Sequence, residues 1–209
     1  MEGGWLEGAG ALSPGDFEYF IFDLDGTLFS LPVDWTAVRE EFAAIAGESI
    51  EGRPLFQEVQ RVAAAKPALK QTILSMIESH ELRAVDSAKP MPGAVDLAYS
   101  LFEVSKLALV TLQGKRACEE LLRRSKLLDL FEALVTREDS LDRAAQLEAA
   151  LNMLGARPKD ALFIGDRLND VVCGRKVGLR VALVGRSAPD EPKPDYSFAD
   201  FSQLKSFFA

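Results

Sequence analysis

Short, uninterrupted apolar runs alternate with amphipathic stretches along most of the chain. Five runs are rich in aromatic and β-branched residues: FEYFIFD (17–23), KLALVT (106–111), EALVT (132–136), ALFIGD (161–166) and RVALVG (180–185). Between them, apolar residues recur at helical spacing over 92–105, 114–128, 143–156 and 169–178. Strands that are apolar on both faces are typical of parallel sheets covered by helices on both sides. We therefore predict an α/β fold of three layers around a parallel sheet.

One section departs from this alternation. From residue 31 to residue 91 only helical patterns occur, and Asp34 is suited to cap the first of them. We interpret this section as a small α-helical cap domain inserted into a Rossmann-like core, above the carboxyl ends of the strands. The predicted division is a flexible N-terminal extension (1–16), the core (17–30 and 92–209) and the helical cap (31–91).

Acidic residues follow two of the predicted strands. Asp23 is the last residue of the first run and Asp25 lies two residues further on, while Asp166 is the last residue of ALFIGD and Asp170 lies four residues further on. Parallel strands bring their last residues to one edge of the sheet, so these carboxylates are expected to converge there. Such a cluster needs a cation, and hard oxygen ligands favour Mg²⁺. Gly26 would let the backbone turn tightly beside the pair.

Polar groups that could bind an anion follow two further strands. The Thr111 hydroxyl and the amides of Leu112 and Gln113 precede a helix and could bind phosphate oxygens. Arg143 begins a later helix, where its charge could offset the carboxylates and bind a phosphoryl group.

Composition limits the possible partners. The formal net charge of -8 and a pI near 4.8 argue against nucleic acid or an anionic membrane, although a small anionic substrate is compatible with a locally positive site. No apolar run approaches the roughly 20 residues needed to span a bilayer, and the N-terminus lacks a signal-peptide pattern. The two cysteines, Cys118 and Cys173, are read as reduced residues of a cytoplasmic protein. The oligomeric state stays open.

These motifs together resemble the haloacid dehalogenase superfamily of hydrolases, in its phosphoglycolate phosphatase-like form with a helical cap. The resemblance runs from Phe17 to the C-terminus and rests on DLDGT, LVT, Arg143 and GDRLND, in that order. It implies an Mg²⁺-dependent phosphatase acting on a small phosphorylated metabolite.

The resemblance also implies residue roles. Asp23 would be the nucleophile, and Asp25 would protonate the leaving oxygen and then activate water. Thr111 and Arg143 would hold the phosphoryl group, together with Leu112 and Gln113 as substrate-binding residues. The metal ligands would be Asp23, the backbone carbonyl of Asp25, Asp166 and, through water or by orienting the basic residue, Asp170.

Two positions depart from the family pattern. The basic residue of the third motif is most often lysine, whereas no lysine occurs between Lys126 and Lys159, and position 112 is Leu where many relatives carry Asn. Two alternatives stay open: a phosphosugar mutase or phosphotransferase of the same fold, and a non-catalytic phosphate-binding or signalling relative. Basic side chains of the cap that could contact substrate are not ranked by the sequence: Arg39, Arg53, Lys66, Lys70 and His80.

Overall fold

The core is a six-stranded parallel sheet. The computed structural model describes residues 14–50, 52–185 and 191–208, so most of the predicted N-terminal extension lies outside the described residues. The strands within these ranges are β1 (Tyr19–Phe22), β2 (Phe29–Ser30), β3 (Lys89–Pro90), β4 (Lys106–Val110), β5 (Phe131–Val135), β6 (Ala161–Gly165), β7 (Arg180–Val184) and β8 (Tyr196–Phe198). The sheet order is β5-β4-β1-β6-β7-β8, and all five long predicted strands are present.

Helices cover both faces of this sheet. They are α4 (Ala94–Phe102), α5 (Lys115–Arg124), α6 (Arg143–Leu154), α7 (Leu168–Val177) and α8 (Phe201–Phe207). Successive β1 residues enter opposite layers: Phe20 and Phe22 belong to one buried apolar cluster and Ile21 to the other. The first cluster includes α4, α5 and α8, and the second includes α6 and α7. The predicted three-layer α/β fold is confirmed.

The helical insert, residues 31–91, contains three helices between β2 and β3. They are α1 (Trp35–Ala46), α2 (Leu55–Ala65) and α3 (Lys70–Val85). Asp34 caps α1 as predicted, accepting hydrogen bonds from the Thr36 and Ala37 amides at 3.1 and 3.0 Å. Apolar residues of the insert, such as Phe42 and Ile73, belong to the same buried cluster as one face of the sheet. The division into a core and a separate cap domain stays a prediction.

The expectation that the insert is helical throughout was wrong at its end. Phe29–Ser30 and Lys89–Pro90 form a two-stranded antiparallel ladder, with Phe29 opposite Pro90. A strand of two residues carries no alternating pattern, and here the pairing holds together the two chain segments that connect the insert to the core. Among the described residues, no helix is both long enough and apolar enough to cross a membrane.

Candidate active site

Three acidic side chains meet at the carboxyl end of the sheet. Asp23 follows β1 and Asp166 follows β6, and these strands are neighbours, with Phe22 opposite Ile164. Asp170 lies in the first turn of α7, where its Oδ2 accepts the Arg167 amide at 3.1 Å. Each of these three aspartates, the acid triad, offers an oxygen within 4.8 Å of the other two. The sheet topology therefore brings together the acids that the sequence placed at strand ends.

The acid triad fits a magnesium ion by its chemistry. All three side chains are buried, and all three supply hard carboxylate oxygens. Opposite ligands of an octahedral Mg²⁺ lie roughly 4.2 Å apart, since each Mg–O distance is about 2.1 Å. The separation within the triad is compatible with that geometry. The backbone carbonyl of Asp25 as a further ligand stays a prediction.

Gly26 makes room for one member of the triad. Its φ is +89°, in the left-handed region, and a Cβ built on it would lie 2.5 Å from Asp166 Oδ2. A side chain at position 26 would therefore both strain the backbone and push the Asp166 carboxylate. The glycine of DLDGT thus permits the close packing of the β1 turn against Asp166.

Arg143 lies in the middle of the site. It is the first residue of α6 and is 8% exposed. Its Nη2 donates to Asp23 Oδ1 at 2.6 Å, its Nη1 donates to the Val110 carbonyl at 3.0 Å, and its Nε lies 3.4 Å from Asp170 Oδ1. The guanidinium thus ties together the end of β1, the end of β4 and the start of α7. The structure thus brings Arg143 beside Asp23 and Asp170, and its role as the basic residue of the third motif stays a prediction.

Burial and charge act together on these groups. Burial alone would lower the pKa of Arg143, but the Asp23 and Asp170 carboxylates outweigh it and raise that pKa above its usual value. Burial also raises the pKa of Asp170, to about 7, against the opposing effect of Arg143. Crowded carboxylates are costly in this site, which is a further sign that it is built to hold a cation.

Asp25 is fixed beside the triad. Its Oδ1 accepts the Leu31 amide at 3.0 Å, and its Oδ2 accepts from Arg167 Nη2 at 3.3 Å. Burial raises the pKa of Asp25, opposed by the Leu31 amide and Arg167. Sequence reasoning missed Arg167, although it directly follows Asp166 in GDRLND. The Arg167 side chain is 56% exposed, so its contact with Asp25 faces solvent.

Residues 111–114, predicted to bind phosphate and called here the phosphate loop, form most of their hydrogen bonds within the chain. The Thr111 hydroxyl donates to Gln113 Oε1 at 2.5 Å, and the Gln113 amide donates to Thr111 Oγ1 at 3.1 Å. Gln146 Nε2 donates to the Thr111 carbonyl at 2.7 Å. The Leu112 amide is the one N–H of 112–114 that has no hydrogen-bond partner among the described residues. Of the amides proposed to bind phosphate, Leu112 is therefore the one left free.

Gln146 was not anticipated from the sequence. It lies three residues after Arg143 on α6, so both side chains emerge from one face of that helix and reach the end of β4. The i, i+3 spacing is the signal that could have found it.

Basic residues of the helical insert are mostly engaged within the insert. Of the five that the sequence analysis named, Lys70 forms no ion pair within the described part of the chain, and it lines a cleft of about 380 Å³ together with Leu141. The other four contact insert residues: Arg39 with the Arg53 carbonyl, Arg53 with Glu58, Lys66 with Glu48, and His80 with Glu41.

The family assignment agrees with this geometry. The haloacid dehalogenase-like hydrolase family matches residues 20–184, which include the acid triad, Arg143 and the whole helical insert. The chain belongs to that family. This haloacid dehalogenase-like hydrolase is 34% identical over 107 residues to the pyrophosphatase PpaX of Bacillus cereus. That match covers 47% of this chain and 50% of PpaX, so the chain spans about half the length of the curated relatives it matches.

Solved structures support the fold. A predicted phosphoglycolate phosphatase from Haemophilus somnus superposes with a TM-score of 0.69 at 20% identity, covering 93% of this hydrolase and 99% of that chain. A HAD phosphatase from Thermococcus onnurineus gives a TM-score of 0.67 at 21% identity, covering 92% and 98%. At these identities the likeness establishes the fold alone.

Proposed function

We propose that this hydrolase is an Mg²⁺-dependent phosphatase that cleaves a small phosphomonoester through an aspartyl-phosphate. The observation that carries the proposal is the position of Asp23, which is a member of the acid triad and also lies 2.6 Å from Arg143. A carboxylate at that point is placed between a cation site and a fixed positive charge. Phosphoryl transfer depends mainly on such positioning and charge neutralisation.

Each residue then has a defined role in the reaction, and Asp25 acts in both steps. Asp23 attacks phosphorus while the bond from phosphorus to the leaving oxygen breaks, and Asp25 gives that oxygen its proton. Asp25 next takes a proton from the water that attacks the aspartyl-phosphate, which releases phosphate and restores Asp23. Arg143 offsets the charge of the phosphoryl oxygens, and the Leu112 amide and Thr111 help to hold them. Mg²⁺ bound by the acid triad would supply further charge neutralisation and orientation.

Pyrophosphate is the second candidate substrate. The similarity to PpaX over half of each chain favours it, because the printed activity of PpaX is that of a pyrophosphatase. The same residues would serve, since the leaving group is then phosphate in place of an alcohol. We expect the natural substrate to be a small phosphorylated molecule in either case.

Phosphate release across a substrate panel tests the proposal. The panel contains p-nitrophenyl phosphate, 2-phosphoglycolate, several sugar phosphates and pyrophosphate, each with Mg²⁺ and with EDTA. We expect Mg²⁺-dependent release from at least one monoester, and none from the Asp23→Asn variant. Release from pyrophosphate alone would favour the second candidate, and isomerisation of a sugar phosphate without release would favour a mutase. A folded protein that releases phosphate from no substrate would overturn the proposal.

A further inference from the structure

A buried ion pair joins the helical insert to the core. Glu81 of α3 accepts a hydrogen bond from Arg137 Nη1 at 2.6 Å, and the two side chains are 0% and 1% exposed. Arg137 lies in the loop after β5, at the same end of the sheet as the acid triad. Neither residue belongs to the reaction described above. Their contact is the most deeply buried ion pair between the insert and the core among the described residues.

This pair holds the phosphate loop as well as the insert. The Gln113–Gly114 peptide unit is bound on both sides, because its carbonyl accepts the Arg137 amide at 3.4 Å and its N–H donates to Glu81 Oε2 at 3.0 Å. The preceding unit is bound through the Leu112 carbonyl, which accepts from Arg137 Nη1 at 3.4 Å. Glu81 and Arg137 therefore bind two successive peptide units of the loop, and Thr111 accepts the remaining N–H of these units, that of Gln113.

We infer that Glu81 and Arg137 are positioning residues that couple the docking of α3 to the ordering of the phosphate loop. With α3 docked, the loop is fixed and its Leu112 amide is left as the free donor. When α3 moves away, the Gly114 amide loses its acceptor and Arg137 loses the carboxylate that holds it. The inference rests on the proposed function for the role of the loop in phosphate binding.

Other contacts keep the Arg137 guanidinium within the same interface. Its Nη2 donates to the Leu74 carbonyl of α3 at 3.4 Å, and it lies 5.9 Å from the centre of the Phe56 ring of α2. Glu138 lies 3.8 Å from its Nε. Burying such a pair is costly, and an apolar pair of similar volume would often be as stable. Stability alone therefore does not explain why two charges are retained at this point.

Hydrogen exchange separates positioning from simple stabilisation. The Gly114 amide and Arg137 donate to different oxygens of Glu81, and in Glu81→Gln one of these oxygens becomes an NH2 group, so one of the two donors faces another donor. We expect exchange in peptides that cover 111–115 to increase at least about fivefold, the factor for one lost hydrogen bond. Glu58→Gln is the matched control, because Glu58 is also buried, 2% exposed, and its ion pairs with Arg53 and Arg61 lie within the insert. That control should leave exchange in 111–115 unchanged.

A second variant tests the inference even where Glu81→Gln alone fails to fold. Glu81→Gln combined with Arg137→Met removes both charges, so no unpaired charge stays buried. We expect this protein to fold and still to exchange faster in 111–115 than the wild type. Unchanged exchange there in both folded variants would overturn the inference.

Kinetics then link the loop to catalysis. For the substrate that the panel identifies, we expect Glu81→Gln to weaken competitive inhibition by inorganic phosphate and to lower kcat/KM about fivefold or more. Normal phosphate inhibition and kcat/KM, despite faster exchange, would contradict the role in substrate binding. A wild type that releases no phosphate would refute the proposed function, whereas the exchange experiment would still decide whether the pair positions the loop.

Discussion

Replacing Gly26 by Ala is expected to displace the Asp166 carboxylate of the acid triad without unfolding the protein. The new Cβ would lie 2.5 Å from Asp166 Oδ2, whereas ordinary contact begins at 3.4 Å. The Asp166 carboxylate or the turn after β1 must therefore move by about 1 Å, which is the scale of misplacement that costs about 10²-fold in rate. The left-handed φ of +89° adds about 1–2 kcal/mol of backbone strain.

Gly47→Ala separates these two effects. Gly47 ends α1 with a φ of +69°, and a Cβ there meets nothing within 4 Å. This control should therefore lose about 1–2 kcal/mol from strain alone, with normal activity. The assay pairs urea unfolding with phosphate release as a function of Mg²⁺ concentration.

For Gly26→Ala we expect a kcat about 10²-fold lower, with a higher Mg²⁺ requirement. A kcat and Mg²⁺ midpoint within twofold of the wild type would refute the reasoning, and so would an equal loss of activity in Gly47→Ala.

Three further results are expected. Asp23→Asn should abolish turnover while the circular dichroism spectrum stays unchanged; more than a few per cent of wild-type activity would remove Asp23 from the nucleophile role. Arg143→Ala should lower kcat by about two orders of magnitude, a typical loss for one electrostatic stabiliser, and steady-state kinetics check this. The last result concerns pH. Burial raises the pKa of Glu81 from 4.5 to about 7, so ionisation of Glu81 costs the folded state stability as the pH rises through that window. The free energy of unfolding of the wild type should therefore fall relative to Glu81→Gln by about 3 kcal/mol between acidic pH and pH 8, and parallel urea-unfolding curves would contradict this.

The sheet and the acid triad could be predicted because each is indicated by a local residue pattern in the sequence. A strand buried on both faces must be apolar throughout, and parallel strands must end at the same edge. Asp23 and Asp166 therefore converge whatever the loops between them do. Arg143 was found for a similar reason, since it begins a helix that follows a strand of the same sheet.

No local residue pattern indicates the pair of Glu81 and Arg137. Glu81 stands in an amphipathic helix where a charged residue normally faces solvent, and its partner is 56 positions away in the chain. Only the packing of α3 against the core decides that both side chains are buried. The two-residue strands β2 and β3 were missed because a strand of two residues shows no alternation of polar and apolar residues. Their pairing depends only on how the two segments that connect the insert to the core approach each other.

The charges of the site explain why a cation should precede the substrate. The site holds four carboxylates, those of the acid triad and Asp25, but only one buried guanidinium, that of Arg143, which contacts Asp23 and Asp170; Arg167 is largely exposed. A phosphomonoester brings further negative charge into this cluster, and like charges at such distances repel strongly where water is excluded. The acid triad would hold a divalent cation, and that cation would remove most of the repulsion. Inorganic phosphate should therefore bind far more weakly in EDTA than in Mg²⁺, even in Asp25→Asn, which lacks the proposed general acid but keeps the triad.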